Sequence, residues 1–290
     1  MKKPTLLILC IAAISVLLIA GCTQTPVPQP TPTATTPVQT TRAPDTVKTA
    51  DTTLGKILVD AKGMTLYYFA NDIPASGAST CYGQCAVAWP VFLADTIAVS
   101  SPLDPADFGS ITRTDGTKQT TYYGWPLYYF QGDTKPGDTK GENVLKTWFV
   151  VKPDESVLIS NSAATLGLHL TDTSGKTLYY FTKDTSGKSA CTGTCIAAWP
   201  PFSADTVTAP SVLKTGDFSP VSREDGMKQT AFMGRPLYYY SGDTKPGDIR
   251  GEGFNNIWFV ANVSGSVPVV TTTVPTTVRT TSPASGGGGY

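Results

Sequence analysis

The chain has 290 residues, 22 of them basic and 22 acidic, with a single histidine, and 40% of it is hydrophobic. A formal charge of zero, with no basic patch, argues against nucleic acid and anionic membrane surfaces as partners. One histidine leaves little from which to build imidazole-based zinc, copper, haem or acid–base chemistry.

The N-terminus reads as a signal peptide over residues 1–21. Lys2 and Lys3 form a positive start, and Leu6 to Ala20 is an apolar run broken only by Ser15. That run is short for a membrane span, which needs about 20 residues. It ends in Leu18-Ile19-Ala20-Gly21-Cys22, which resembles the lipobox of secreted lipoproteins. The resemblance implies cleavage before Cys22 and a lipid on its sulfur. Processing would leave 20 basic against 22 acidic side chains. Residues 22–50 follow as a Thr/Pro-rich linker with almost nothing apolar to bury. Extended, it would reach up to about 90 Å at roughly 3.1 Å per residue. Residues 264–290, rich in Val, Thr and Pro and ending in four glycines and Tyr290, read as a disordered tail.

Between these ends lies a tandem repeat. Residues 51–153 form one module, 154–165 a linker and 166–263 a second module. Tyr67/Tyr179, Asp72/Asp184, Cys81/Cys191, Trp89/Trp199, Gln119/Gln229 and Trp148/Trp258 correspond, and a two-residue length difference falls near Pro74 to Ala78. A finer echo, G-x-x-L-Y-Y-aromatic-x-x-D, occurs four times, starting at Gly63, Gly124, Gly175 and Gly234. Leu-Tyr-Tyr-aromatic is a strand signal. Ile57-Leu58-Val59 and Gln119 to Tyr123 precede such strands and read as hairpin partners. Asp115-Gly116 and Asp225-Gly226 mark further tight turns, and Trp148 to Val151 and Trp258 to Val260 read as closing strands. The predicted fold is mainly β, with six to eight short strands per module. A short helix is expected after each cysteine pair, halted by Trp89-Pro90 or Trp199-Pro200.

Cys81/Cys85 and Cys191/Cys195 remain after processing. Outside the cytoplasm each pair is expected to form a disulfide within its own module, pinning a turn, with Trp89 or Trp199 filling the core beside it. A redox-active pair is the alternative, although three intervening residues are not the thioredoxin-like spacing. GDTKPGD, repeated at Gly132 and Gly242, is turn chemistry. Asp133, Asp138 and Glu142, with Asp243, Asp248 and Glu252, are weak calcium candidates. Asp72/Asp133 and Asp184/Asp243 sit at equivalent strand ends and would approach as an acid–base pair if the half-repeats are related by a twofold. No cofactor is expected.

The lipobox, the tandem modules, the Tyr67 to Asp72 motif and its three echoes, and Cys81 to Pro90 together resemble the prokaryotic lipoproteins with a secreted repeat of unknown function. The resemblance implies a lipid-anchored surface protein of a bacterium or archaeon. The expected role is a non-catalytic binding or structural module for a surface protein or glycan, with envelope redox chemistry and calcium-dependent adhesion as alternatives. Tyr67, Tyr128, Tyr179, Tyr238 and Trp125 are the candidate binding aromatics, provided that they are exposed. Module two departs from the pattern: Arg235 stands for Trp125, and Phe232-Met233 for Tyr122-Tyr123.

Overall fold

The computed structural model describes residues 46–163 and 165–265. The signal peptide, Cys22, most of the Thr/Pro linker and residues 266–290 lie outside the described residues.

Among the described residues fourteen short strands arise where aromatic and β-branched residues cluster, seven per module. Module one contains β1 (Val47–Thr52), β2 (Gly55–Asp60), β3 (Tyr67–Phe69), β4 (Phe108–Thr112), β5 (Lys118–Tyr122), β6 (Trp125–Pro126) and β7 (Trp148–Val150). Module two contains β8 (Leu158–Ser160), β9 (His169–Thr171), β10 (Tyr179–Phe181), β11 (Phe218–Ser222), β12 (Lys228–Phe232), β13 (Arg235–Tyr238) and β14 (Trp258–Val260). The helices are single turns, α1 (Gln84–Ala88) and α2 (Cys195–Ala198). Each ends at its Trp-Pro, as expected.

In module two five of the strands form one antiparallel sheet in the order β11-β12-β13-β10-β14, and β8 and β9 form a separate pair. Module one repeats this order as β4-β5-β6 and β3-β7, joined by the single bridge between Tyr67 and Tyr128. The Asp-Gly turns close the β4–β5 and β11–β12 hairpins.

Two features differ from the sequence expectation. The hairpin partner of β2 is β1, which begins inside the stretch read as linker; β2 meets the following strand only at Val59 and Thr65. The 154–165 linker likewise carries β8, which pairs with β9. Thr46 N–H donates to Ala98 O at 2.7 Å, and Ser156 N–H to Thr208 O at 2.9 Å. Both modules therefore begin with equivalent strands. Short strands of three to six residues carry too little alternation to stand out beside Thr/Pro-rich or connecting sequence.

Burial is organised into three clusters. One runs through both modules and includes Leu58, Tyr68, Trp125 and Phe149 together with Ile159, Leu178 and Leu237. The other two are local to each module, around Trp89 with Trp148 and around Trp199 with Trp258. The modules are also bonded directly. Trp125 Nε1–H donates to Thr173 O at 2.9 Å, Asn161 N–H to Ala70 O at 2.7 Å and Ile159 N–H to Tyr68 Oη at 3.3 Å.

Candidate functional site

The four signature strands meet in two pairs. Tyr67 and Tyr128 exchange backbone hydrogen bonds of 2.9 and 3.0 Å across the centre of module one. Their side chains then cross. Tyr67 Oη–H donates to Asp133 Oδ2 at 2.7 Å, and Tyr128 Oη–H donates to Asp72 Oδ2 at 2.6 Å. Each tyrosine is thus bonded to the aspartate of the other half-repeat, so the halves are related by an approximate twofold. Trp89 and Trp148, which occupy equivalent places in the two halves, stack with ring centroids 3.8 Å apart. Module two repeats the arrangement. Tyr179 donates to Asp243 at 2.7 Å, Tyr238 to Asp184 at 2.8 Å, and Trp199 stacks on Trp258 at 3.8 Å.

The same carboxylates also hold turns. Asp72 Oδ1 accepts from Thr80 N–H and Oγ1–H, and Asp133 Oδ1 accepts from Lys140 N–H. Within GDTKPGD, Asp138 Oδ2 accepts from Thr134 N–H at 3.0 Å and Gly137 has φ +81°. Gly141 must be glycine for a packing reason, because a Cβ there would meet the Trp89 and Tyr67 rings at 2.8 Å.

A polar network extends from Tyr128. Ser79 Oγ lies 2.6 Å from Tyr128 Oη and accepts from Arg113 Nη1 at 2.8 Å. Arg113 also donates to Gln119 Oε1 at 2.7 Å and to Cys81 O. Arg223 makes the matching contacts with Ser189, Gln229 and Cys191 O. Sequence reasoning missed these arginines; each stands two residues before an Asp-Gly turn, a weak signal. The disulfides Cys81–Cys85 and Cys191–Cys195 form as expected, with Trp89 and Trp199 buried beside them.

Burial pushes up the carboxyls of Asp72, Asp133 and Asp243, and it lifts Asp184 to about 6. Burial together with the facing aspartate pushes the Tyr67 and Tyr128 hydroxyls well above their ordinary value.

These contacts correct two expectations. Tyr67, Tyr128, Tyr179 and Tyr238 are all 0% exposed and Trp125 is 2% exposed, so they form no aromatic platform on the surface. The Leu-Tyr-Tyr strands are central rather than marginal, and both faces are covered. The calcium candidates are not gathered into a site. Asp133 and Asp243 face tyrosines, Glu142 and Glu252 accept from Val150 N–H and Val260 N–H, and Asp138 is held at about 2 chiefly by its bond from Lys140. Asp248 accepts from Thr244 and lies 3.5 Å from Arg250. Among the described residues no three His, Cys, Asp or Glu side chains come together as a metal site. The paired strand-end carboxylates do fall on a twofold, but each is bonded to a tyrosine. His169 lies buried in β9, as a strand residue.

The sequence pattern of a secreted repeat of unknown function matches residues 48–92, 109–152, 162–203 and 219–262. The chain belongs to that family. The four matches are the four half-repeats, each carrying one tyrosine, one aspartate and one tryptophan of the interlocked centres. A secreted repeat with two disulfides suits an oxidising, extracytoplasmic compartment. No curated protein and no solved structure matches the chain.

Proposed function

We propose that this member of the secreted repeat family is a lipid-anchored, non-catalytic module held outside the cell membrane of a bacterium or archaeon through Cys22. It serves there as a rigid binding or structural body for a surface protein or glycan. The observation that carries this reading is where the signature residues go. The Tyr, Asp and Trp of all four half-repeats are engaged with one another inside the modules. Side chains enclosed in this way lock a fold and are poorly placed to turn over a substrate.

A second reading, envelope redox chemistry, draws on one fact. Cys81 and Cys191 are buried, whereas Cys85 and Cys195 are only partly buried, so each pair has one member at the edge of its core cluster. Counting free thiols by mass across a series of redox buffers separates the two. The non-catalytic reading expects both pairs below about −300 mV. A potential near about −200 mV would overturn it in favour of thiol exchange. Anchoring is tested separately: the intact mass of the membrane-extracted chain should show cleavage before Cys22 and a lipid added to its sulfur, and an unmodified Cys22 would refute the lipid.

A further inference from the structure

Each module has a small niche beside the second tyrosine of its first signature strand. In module two it is bounded by Tyr180, Phe232, Arg235, Asn262 and Gly265. In module one the equivalent positions are Tyr68, Tyr122, Trp125, Lys152 and Glu155, with Tyr123 completing the wall. The two niches differ in how charge is placed. In module two the Arg235 guanidinium lies over the Tyr180 ring, 4.8 Å from its centroid, and no acid is present at Gly265. Module one has no arginine there, and it has a carboxylate instead. Glu155 is 8% exposed, and its Oε1 is enclosed and has no hydrogen-bond partner in the chain. Lys152, the basic residue of the niche, turns its Nζ to Ala209 O at 2.8 Å. No ion pair joins it to Glu155. Burial pushes the Glu155 carboxyl well up, the Lys152 charge and a bond from the Lys152 backbone N–H oppose that rise, and Glu142 and Asp154 add to it.

We infer that the module-one niche is a binding site for a primary alkylammonium group, seated against the Tyr68, Tyr122, Tyr123 and Trp125 rings and bonded to Glu155 Oε1. Ammonium groups are attracted to aromatic faces, and the attraction grows when water is excluded. A buried acceptor lacking a donor carries a penalty that an N–H donor relieves. The cavity of about 20 Å³ admits one group the size of water or ammonium. It is too small for a quaternary ammonium. Tyr123, 39% exposed with φ +47°, stands at the mouth, where an alkyl stem would leave. Module two supplies its own cation to the equivalent ring, so one site per chain is expected. The inference rests on the reading of the chain as a binding module and gives that reading a ligand class.

The test uses the full chain and ligand-observed NMR with n-butylammonium, tetramethylammonium and n-butanol. Saturable binding of n-butylammonium alone is expected. Glu155→Gln should weaken it at least about tenfold while leaving the melting temperature to report the fold. Tyr123→Asn keeps a turn-compatible residue, removes the ring and should weaken binding several-fold, which carries the test if the glutamate variant does not fold. Equal binding of n-butanol would reduce the niche to an apolar gap. An unchanged affinity in folded Glu155→Gln, or no saturation at all because the niche holds only water, would likewise overturn the inference. Blocked lysine, N-acetyl-lysine methylamide, distinguishes the source of the amine. Binding comparable to n-butylammonium supports a protein lysine, and binding of n-butylammonium alone supports a free amine. Failure of every amine would leave the lipid mass on Cys22 and the thiol potentials unaffected, so the broader reading is judged apart.

Discussion

The hydroxyl of Tyr67 has a single carboxylate acceptor, and that acceptor belongs to the other half of the module. Tyr67→Phe would leave Asp133 Oδ2 buried without this donor while barely changing the packing. A hydrogen bond involving a charged or enclosed partner is worth about 1–3 kcal/mol. The expected result is a loss of that size in urea denaturation, with an unchanged m-value. A double-mutant cycle with Asp133→Asn should show coupling between the two sites; additive effects would mean that the bond contributes nothing of its own. At Asp184 the consequence is one of pH. Burial lifts its carboxyl from 3.8 to about 6, so the folded chain holds this proton more tightly than the unfolded chain. Its contribution to stability is full below about pH 4 and is lost as pH rises through about 6. Relative to Asp184→Asn, the parent chain should therefore lose stability between those values, read from urea midpoints at each pH. A flat difference across the window would count against the shift.

At the scale of the element, the disulfides close very short loops. Chain entropy then yields only about 2 kcal/mol per bond. Replacing Cys81 and Cys85 together by serine should lower stability by about that amount and leave the Trp89–Trp148 stack in place, which near-UV circular dichroism would report. A collapse of the aromatic signal would mean that the turn depends on the bond. Much of this level was legible from residues alone. Leu-Tyr-Tyr-Phe became a strand in both modules, Asp115-Gly116 closed a hairpin and Trp-Pro stopped each helical turn. Other elements were hidden. β1 sits among threonines at the end of a Pro-rich stretch, and β8 is three residues long, so neither carries the periodicity that betrays a strand. The direction in which Tyr67 and Tyr128 face was also hidden. Alternation assigns residues to two faces, but it does not say that both faces will be covered.

For the whole molecule, one buried cluster passes through both modules, and Pro74 of the first packs on Gly175 of the second so closely that a Cβ there would collide. Heating should give one transition, coincident by fluorescence and far-UV circular dichroism, and two separated transitions would show that the modules unfold independently. Module two lacks the features by which module one grips its neighbour. Thr185-Ser186 replaces Ile73-Pro74, and Arg235 replaces Trp125. The crossed tyrosine–aspartate bonds set a rule of arithmetic for such chains. A polypeptide with one half-repeat would bury a hydroxyl and a carboxylate that have no mates, and only a second polypeptide could provide them. Copies of this motif therefore work in even numbers, and an ancestor with a single copy would have had to live as a symmetric pair.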